Sequence, residues 1–90
     1  MTSPAIVLSD HARVQITLRQ LSMRDVLLAI LQPESTLTVR PGREIRQREH
    51  FDAVSGKMYV LRVIVDQTPD EVTVVTAYKT SRTRKYGAPR

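Results

Sequence analysis

Cysteine is absent from this chain of 90 residues. Disulfide bonds and cysteine-ligated zinc are therefore excluded, and a reducing compartment is compatible with the sequence. The chain has three glycines and two histidines, and it contains no His-x-x-x-His pair, glycine-rich phosphate loop, nucleophile elbow or dinucleotide fingerprint. We therefore expect neither a metal site nor a cofactor.

Long apolar runs are also missing. None approaches the roughly 18 residues that span a membrane. Segment 1–8 lacks the positive region of a secretory signal, and the apolar run that ends at Leu8 is followed by Asp10 and His11. We expect a cytoplasmic protein, or a domain that another module delivers, with no membrane partner.

Acidic residues are absent from the last twelve positions. Residues 1–78 hold nine basic and nine acidic side chains, so the whole formal charge of +5 lies in segment 79–90. A segment with charges of one sign favours a polyanion such as RNA, or an acidic protein. A solubilising tail is the competing interpretation.

Length and composition predict one globular domain over residues 1–90, because 41% hydrophobic and 26% charged residues are ordinary for a folded protein. Ser9 is a candidate cap for a helix that continues to Gln20, although the alternation of segment 14–18 leaves a strand as an alternative. A second, amphipathic helix is predicted over residues 23–31, from the cap Ser22 to the stop at Pro33. The helical part thus covers about residues 9–32.

From Ser35 the pattern changes to the alternation of strands. Strands are predicted at 36–40, 43–52, 57–66 and 72–78. The second has charges on both faces and is interpreted as an edge strand, and the third is apolar on both faces and is interpreted as central. The predicted fold is α+β, with one or two N-terminal helices on a three- to four-stranded antiparallel sheet over about 36–80, followed by the basic segment 79–90.

One candidate site lies on the last two strands. Counting by twos places Val72, Val74, Thr76 and Tyr78 on one face, and the simplest register puts Arg62 opposite or diagonal to Thr76. Arginine and two hydroxyl groups could hold an anion. The alternative is structural, with Arg62 paired to an acid across the sheet and the hydroxyl residues chosen for packing.

Histidine supplies the only side chain that titrates near neutral pH here. His11 is the candidate acid or base, with a solvated surface histidine as the alternative. His50 lies on the charged strand without evident companions, and it is interpreted as structural.

Two motifs resemble those of a family of small bacterial domains of uncharacterised function. They are the opening Ser9-Asp-His-Ala12, with Arg19, Ser22 and the helix of Val26 ending at Pro33, and the closing Val74-Val-Thr-Ala-Tyr78 with Thr80-Ser-Arg-Thr-Arg-Lys-Tyr86. That family looks like the RelE, barnase and colicin toxin fold, in which helices pack on an antiparallel sheet and many members cut RNA without metal. The resemblance implies a toxin-like hydrolase, a metal-independent endoribonuclease that acts by 2′-hydroxyl attack, and an acidic antitoxin or immunity protein as inhibitor.

The resemblance also implies roles for individual residues. His11 would be the acid or base, Arg62 the transition-state clamp, and Thr76 and Tyr78 the groups that orient the phosphate. RNA would be held by Arg13, Lys79, Thr80, Ser81, Arg82, Lys85 and Tyr86. Family members often carry an arginine four residues after the histidine, where this chain has Gln15, and Arg13 could substitute for it.

Two other functions fit the same residues. The first is a non-catalytic module of the same fold that binds RNA or an acidic protein through segment 79–85. The second is dimerisation through the exposed edge strand, with the basic segment incidental.

Overall fold

A computed structural model describes residues 4–81. Two helices and five strands follow one another in the order β1 Ala5–Leu8, α1 Asp10–Leu18, α2 Met23–Leu31, β2 Ser35–Arg40, β3 Arg43–Asp52, β4 Lys57–Gln67 and β5 Glu71–Thr80. The α+β class is therefore as predicted. Over this part of the chain no helix is long and apolar enough to cross a membrane.

The five strands form one mixed sheet in the order β1-β5-β4-β3-β2. Neighbouring strands are antiparallel except β1, which runs parallel to β5 and pairs Ala5 with Glu71 through Leu8 with Val74. The predicted sheet of three or four antiparallel strands lacked β1. This strand is only four residues long and pairs with residues far along the chain, so local alternation gives no signal for it.

The positions of β3 and β2 correct the assignment of the edge. Strand β3 lies between β4 and β2, so it is an interior strand, and β2 is the edge strand on that side of the sheet. Two arginines of β3 have partners in the helical layer. Arg46 Nη1 donates to the Ile30 carbonyl at 2.8 Å, and Arg48 Nη1 donates to the Gln32 carbonyl at 2.7 Å. These arginines satisfy carbonyls that the C-terminal end of α2 leaves unpaired.

Helix α1 ends in a Schellman motif. Gln20 has a φ of +53° and its N–H donates to the Thr17 carbonyl, while the Leu21 N–H donates to the Ile16 carbonyl. At the start of the helix the Ser9 hydroxyl accepts from the Ala12 N–H at 3.0 Å. The helix, and not the alternative strand, forms over 14–18 because capping at both ends and burial of Ala12 and Ile16 favour it.

Both helices pack on the same face of the sheet. Their buried residues Ala12, Ile16, Val26, Ala29 and Ile30 form one core with Leu61, Val63 and Val65 of β4 and with Val72, Val74 and Ala77 of β5. Because side chains alternate along a strand, Val60, Arg62 and Ile64 lie on the opposite face. We call this opposite side the far face.

A β-bulge at Val75 divides β5 into two parts. Ile64 pairs with Thr76 and Val65 pairs with Val74, so Val75 is an extra residue on β5. Val72 and Val74 therefore point to the helices, whereas Thr76 and Tyr78 lie on the far face. The prediction that all four share one face was wrong, because counting by twos cannot detect a bulge.

Candidate functional site

A row of hydrogen-bonded side chains crosses the far face at Arg62. Its Nε donates to Gln47 Oε1 at 2.7 Å and its Nη1 donates to Tyr78 Oη at 2.7 Å. Gln47 Nε2 in turn donates to Ser35 Oγ at 2.8 Å. Arg62 is 6% exposed. The row therefore holds a buried guanidinium in place and fixes the position of the Tyr78 ring.

Arg19 brings a second guanidinium to the same tyrosine. It caps the C-terminal end of α1, and its Nη1 donates to the Ala77 carbonyl at 2.7 Å and to Thr76 Oγ1 at 3.4 Å. The Cζ atoms of Arg19 and Arg62 lie 6.0 and 5.7 Å from the centre of the Tyr78 ring. Arg19, Arg62, Thr76 and Tyr78 form what we call the arginine–tyrosine cluster.

The two arginines of the cluster differ in accessibility. Arg19 is exposed, and its Nε and Nη2 make no hydrogen bond to any residue within 4–81. Arg62 is buried, so it acts by positioning Tyr78. The cluster thus offers an accessible guanidinium fork beside an aromatic ring and two hydroxyl groups, which suits a phosphate or a carboxylate.

His11 is not brought to this cluster. It lies in the first turn of α1, in the helical layer, whereas Arg62 and Tyr78 lie on the far face. Its side chain is exposed and makes no hydrogen bond or ion pair within the described residues. The structure therefore joins three of the four residues predicted as catalytic, and the fourth makes no contact with them.

A cleft of about 160 Å³ lies on the helical face, between the α1–α2 connection and the ends of β3 and β5. Within it, His50 Nδ1 is 3.3 Å from Asp25 Oδ2, and each of the two side chains is 31% exposed. We call it the Asp25–His50 cleft. Its lining consists of Gln20, Leu21, Ser22, Asp25, His50, Asp52, Leu61 and Lys79.

Lys79 is the cation of this cleft. Its Nζ lies 4.9 Å from the centre of the Tyr59 ring. Asp52 accepts from Ser55 Oγ and from the Val54 N–H, and these hydrogen bonds, with a smaller effect of the Lys79 charge, lower the pKa of its carboxyl group. The cleft therefore holds a histidine, an ammonium group and two carboxylates.

The Asp25–His50 pair was missed in the sequence. His50 was interpreted as structural because it has no companions near it in the sequence. Its partner Asp25 lies 25 positions earlier in the chain, on α2. One signal was present. Asp25 is the third residue of α2, beside the cap Ser22, so it lies at a helix end that packs on the sheet.

The residues predicted to bind RNA are spread over the molecule. Arg13 is exposed on α1, Thr80 pairs with Val60 at the end of β5, and Ser81 is exposed beyond that end. Lys79 lies in the Asp25–His50 cleft. Arg82, Lys85 and Tyr86 lie outside the described residues.

The two sites meet at the outer edge of β5. Tyr78 and Lys79 are consecutive and point to opposite faces, and Arg19 and Gln20 are consecutive in the α1–α2 connection. Strand β1 pairs with β5 only as far as Val74, so it does not cover this part of the edge.

In residues 4–81 no group of three or more histidine, aspartate or glutamate side chains could hold a metal ion.

Comparison with known proteins identifies no relative, since no family model, curated protein or solved structure matches this chain.

Proposed function

We propose that this chain binds RNA, and that the arginine–tyrosine cluster holds one phosphate of the strand. The accessible guanidinium of Arg19 carries this proposal. Two of its donor groups point to no acceptor among residues 4–81, and Tyr78 beside it presents an aromatic ring. One guanidinium group can donate two parallel hydrogen bonds to a phosphate, and aromatic rings stack on bases.

An RNA strand fits this surface better than an acidic protein. Besides Tyr78, the far face carries Phe51, which is 58% exposed and pairs with Met58. Aromatic side chains on a sheet surface stack on unpaired bases, whereas an acidic peptide would use only the charge. The basic segment 79–90 carries the whole formal charge of +5, which favours a polyanion.

The binding test compares two exposed arginines. In fluorescence anisotropy with a labelled single-stranded RNA, Arg19→Ala should weaken binding about tenfold and lower the slope of log affinity against log salt by about 0.7. Arg24→Ala is the matched control, because Arg24 is exposed on α2 and makes no hydrogen bond within 4–81. Equal loss in both variants, or preference for polyglutamate over RNA, would reject the assignment.

Cleavage of bound RNA without metal is the second candidate function, and the Asp25–His50 pair favours it. With Nδ1 toward the Asp25 carboxylate, neutral His50 keeps a lone pair on Nε2, which can accept the proton of a 2′-hydroxyl. The 2′-oxygen attacks phosphorus, and the bond to the 5′-oxygen breaks to leave a cyclic phosphate. The ammonium group of Lys79 can stabilise the phosphorane and give a proton to the 5′-oxygen.

The cleavage test uses the two histidines. Wild-type protein should cut RNA in EDTA and leave intact a strand with 2′-deoxyribose throughout. His50→Ala and Asp25→Asn should abolish cutting without loss of RNA binding, and His11→Ala should retain it. Loss of cleavage in His11→Ala alone would assign the acid or base role to His11. If folded wild-type protein leaves RNA intact, RNA binding without cleavage is the function.

A further inference from the structure

The outer edge of β5 is open between the two faces of the sheet beyond Val74. Strand β1 pairs with β5 only from Glu71 to Val74, and no strand of the described chain pairs with the later residues on that side. Residues 76–80 pair with β4 in an unbroken register, because the bulge comes before them. Their side chains therefore alternate regularly between the far face and the helical face.

The backbone N–H of Lys79 points outward at this edge. The Ala77 carbonyl accepts from Arg19 Nη1 at 2.7 Å, so it faces away from β4. In an antiparallel ladder alternate residues direct their N–H and C=O groups to the same side, so Lys79 shares the outward direction of Ala77. The edge thus presents the guanidinium of Arg19 and, two residues after Ala77, a backbone donor.

The Lys79 side chain continues this row of donors into the Asp25–His50 cleft. Its ammonium group makes no ion pair within 4–81 and lies 4.9 Å from the centre of the Tyr59 ring. The carboxylates of the cleft have donors of their own. Asp52 accepts from two groups of the turn that follows β3, and Asp25 faces His50 Nδ1 at 3.3 Å. An anion that enters the cleft therefore meets Lys79 as its cation.

We propose that one unpaired RNA strand turns around the outer edge of β5, with one phosphate on Arg19 and the next phosphate on Lys79. This inference rests on the RNA binding proposed above, and it adds the path of the strand. Tyr78 and Lys79 are consecutive, with Cα atoms about 3.8 Å apart, so neighbouring nucleotides can reach both sides of the edge. One base stacks on Tyr78 on the far face, and the next ribose enters the cleft on the helical face.

This path selects unpaired RNA over a duplex. The cleft has a volume of about 160 Å³. It is smaller than the roughly 300–1,000 Å³ of ordinary ligand pockets, so it admits a sugar or a phosphate but no base pair. A duplex is stiff over many base pairs and does not turn within two nucleotides. A paired strand would have to give up pairing and stacking to follow the edge.

The first test compares two forms of one RNA. The probe is a labelled oligouridine with fluorine in place of each 2′-hydroxyl group, so that it cannot be cut by 2′-hydroxyl attack. In fluorescence anisotropy the wild-type protein should bind the free strand about tenfold more tightly than the same strand annealed to oligoadenosine. Equal affinity would overturn the path and leave RNA binding in place, whereas no binding of either form would reject both proposals.

The second test removes the cation of the cleft. Lys79→Gln should weaken binding of the free strand about tenfold and lower the slope of log affinity against log salt by about 0.7, as expected for one lost phosphate contact. Arg40→Gln is the matched control. Arg40 is exposed at the end of β2, on the opposite edge of the sheet, and its side chain makes no hydrogen bond within the described residues.

The two variants separate the path from the binding itself. If Arg19→Ala weakens binding while Lys79→Gln does no more than Arg40→Gln, the strand stays on the far face and the path is wrong, although RNA binding stands. Circular dichroism of each variant checks the fold. The comparison of free strand and duplex uses wild-type protein, so it decides the question if Lys79→Gln does not fold.

Discussion

The hydroxyl oxygen of Tyr78 lies 2.7 Å from Nη1 of the buried Arg62, across paired positions of β5 and β4. Tyr78→Phe removes this acceptor and should lower the free energy of unfolding by about 1–3 kcal/mol, since the acceptor serves a charged group. Urea unfolding of the wild type and the variant measures this difference in free energy. Tyr59→Phe is the control, because the Tyr59 hydroxyl makes no hydrogen bond within 4–81. An equal effect in both variants would contradict the importance of this contact.

Gln20 ends α1 in the left-handed region, with a φ of +53°. Gln20→Gly should raise the free energy of unfolding by about 0.5–1 kcal/mol, because glycine has no side chain to strain this backbone conformation. The greater flexibility of glycine in the unfolded chain offsets only part of this gain. Gln15→Gly, inside the same helix, should lower it by about 1 kcal/mol. Thermal or urea unfolding of both variants tests this, and a loss in both would refute it.

The Ser9 hydroxyl group makes two contacts. It accepts from the Ala12 N–H at 3.0 Å and donates to the Val75 carbonyl at 3.3 Å, at the bulge. Ser9→Ala should therefore lower the free energy of unfolding by about 1–2 kcal/mol. Ser22→Ala removes only the longer cap contact to the Asp25 N–H, at 3.4 Å, and should have the smaller effect. The reverse order would show that the Val75 contact is unimportant.

The Arg43–Asp66 pair predicts a dependence on pH. Arg43 Nε and Nη2 donate to the two carboxylate oxygens at 2.6 and 2.7 Å, and these hydrogen bonds lower the pKa of Asp66. A carboxyl group whose pKa is lower in the folded state stabilises the fold above its unfolded pKa of about 4. This stabilisation disappears as the pH falls through the folded pKa.

Urea unfolding at a series of pH values tests the pair. Stability should fall below about pH 4, and Asp66→Asn should flatten that dependence. Asp70→Asn is the control, since the Asp70 side chain makes no hydrogen bond or ion pair within the described residues. The effect is modest because the Asp66 side chain is 43% exposed. The same slope of stability against pH in wild type and Asp66→Asn would disprove the contribution of the Arg43–Asp66 pair.

Sequence reasoning succeeded where local signals agreed. Helix α2 was predicted with its observed bounds, because the cap Ser22, an apolar stripe and Pro33 all indicate the same element. Strand β4 was placed at the centre because it is apolar on both faces, and it is the middle strand of the sheet. These features are fixed by residues close together in the chain.

The errors concern features that only long-range contacts decide. The charges of β3 indicated an edge strand, but Arg46 and Arg48 bond to carbonyls at the end of α2. Similarly, His50 seemed isolated because Asp25 meets it only after folding. The direct contact of Arg62 with Tyr78 required the register of β4 and β5, and the predicted register gave Thr76 as the nearer partner.

The bulge at Val75 decides which chemistry each side of the molecule carries. With that residue present, Tyr78 belongs to the row of Arg62, and Lys79 belongs to the cleft of His50. If Val75 were instead paired in the ladder opposite Ile64, with no bulge, the two would exchange faces, sending the amine to the arginines and the phenol to the imidazole. A one-residue slip of pairing at this point would thus rearrange both sites, with no substitution in either of them.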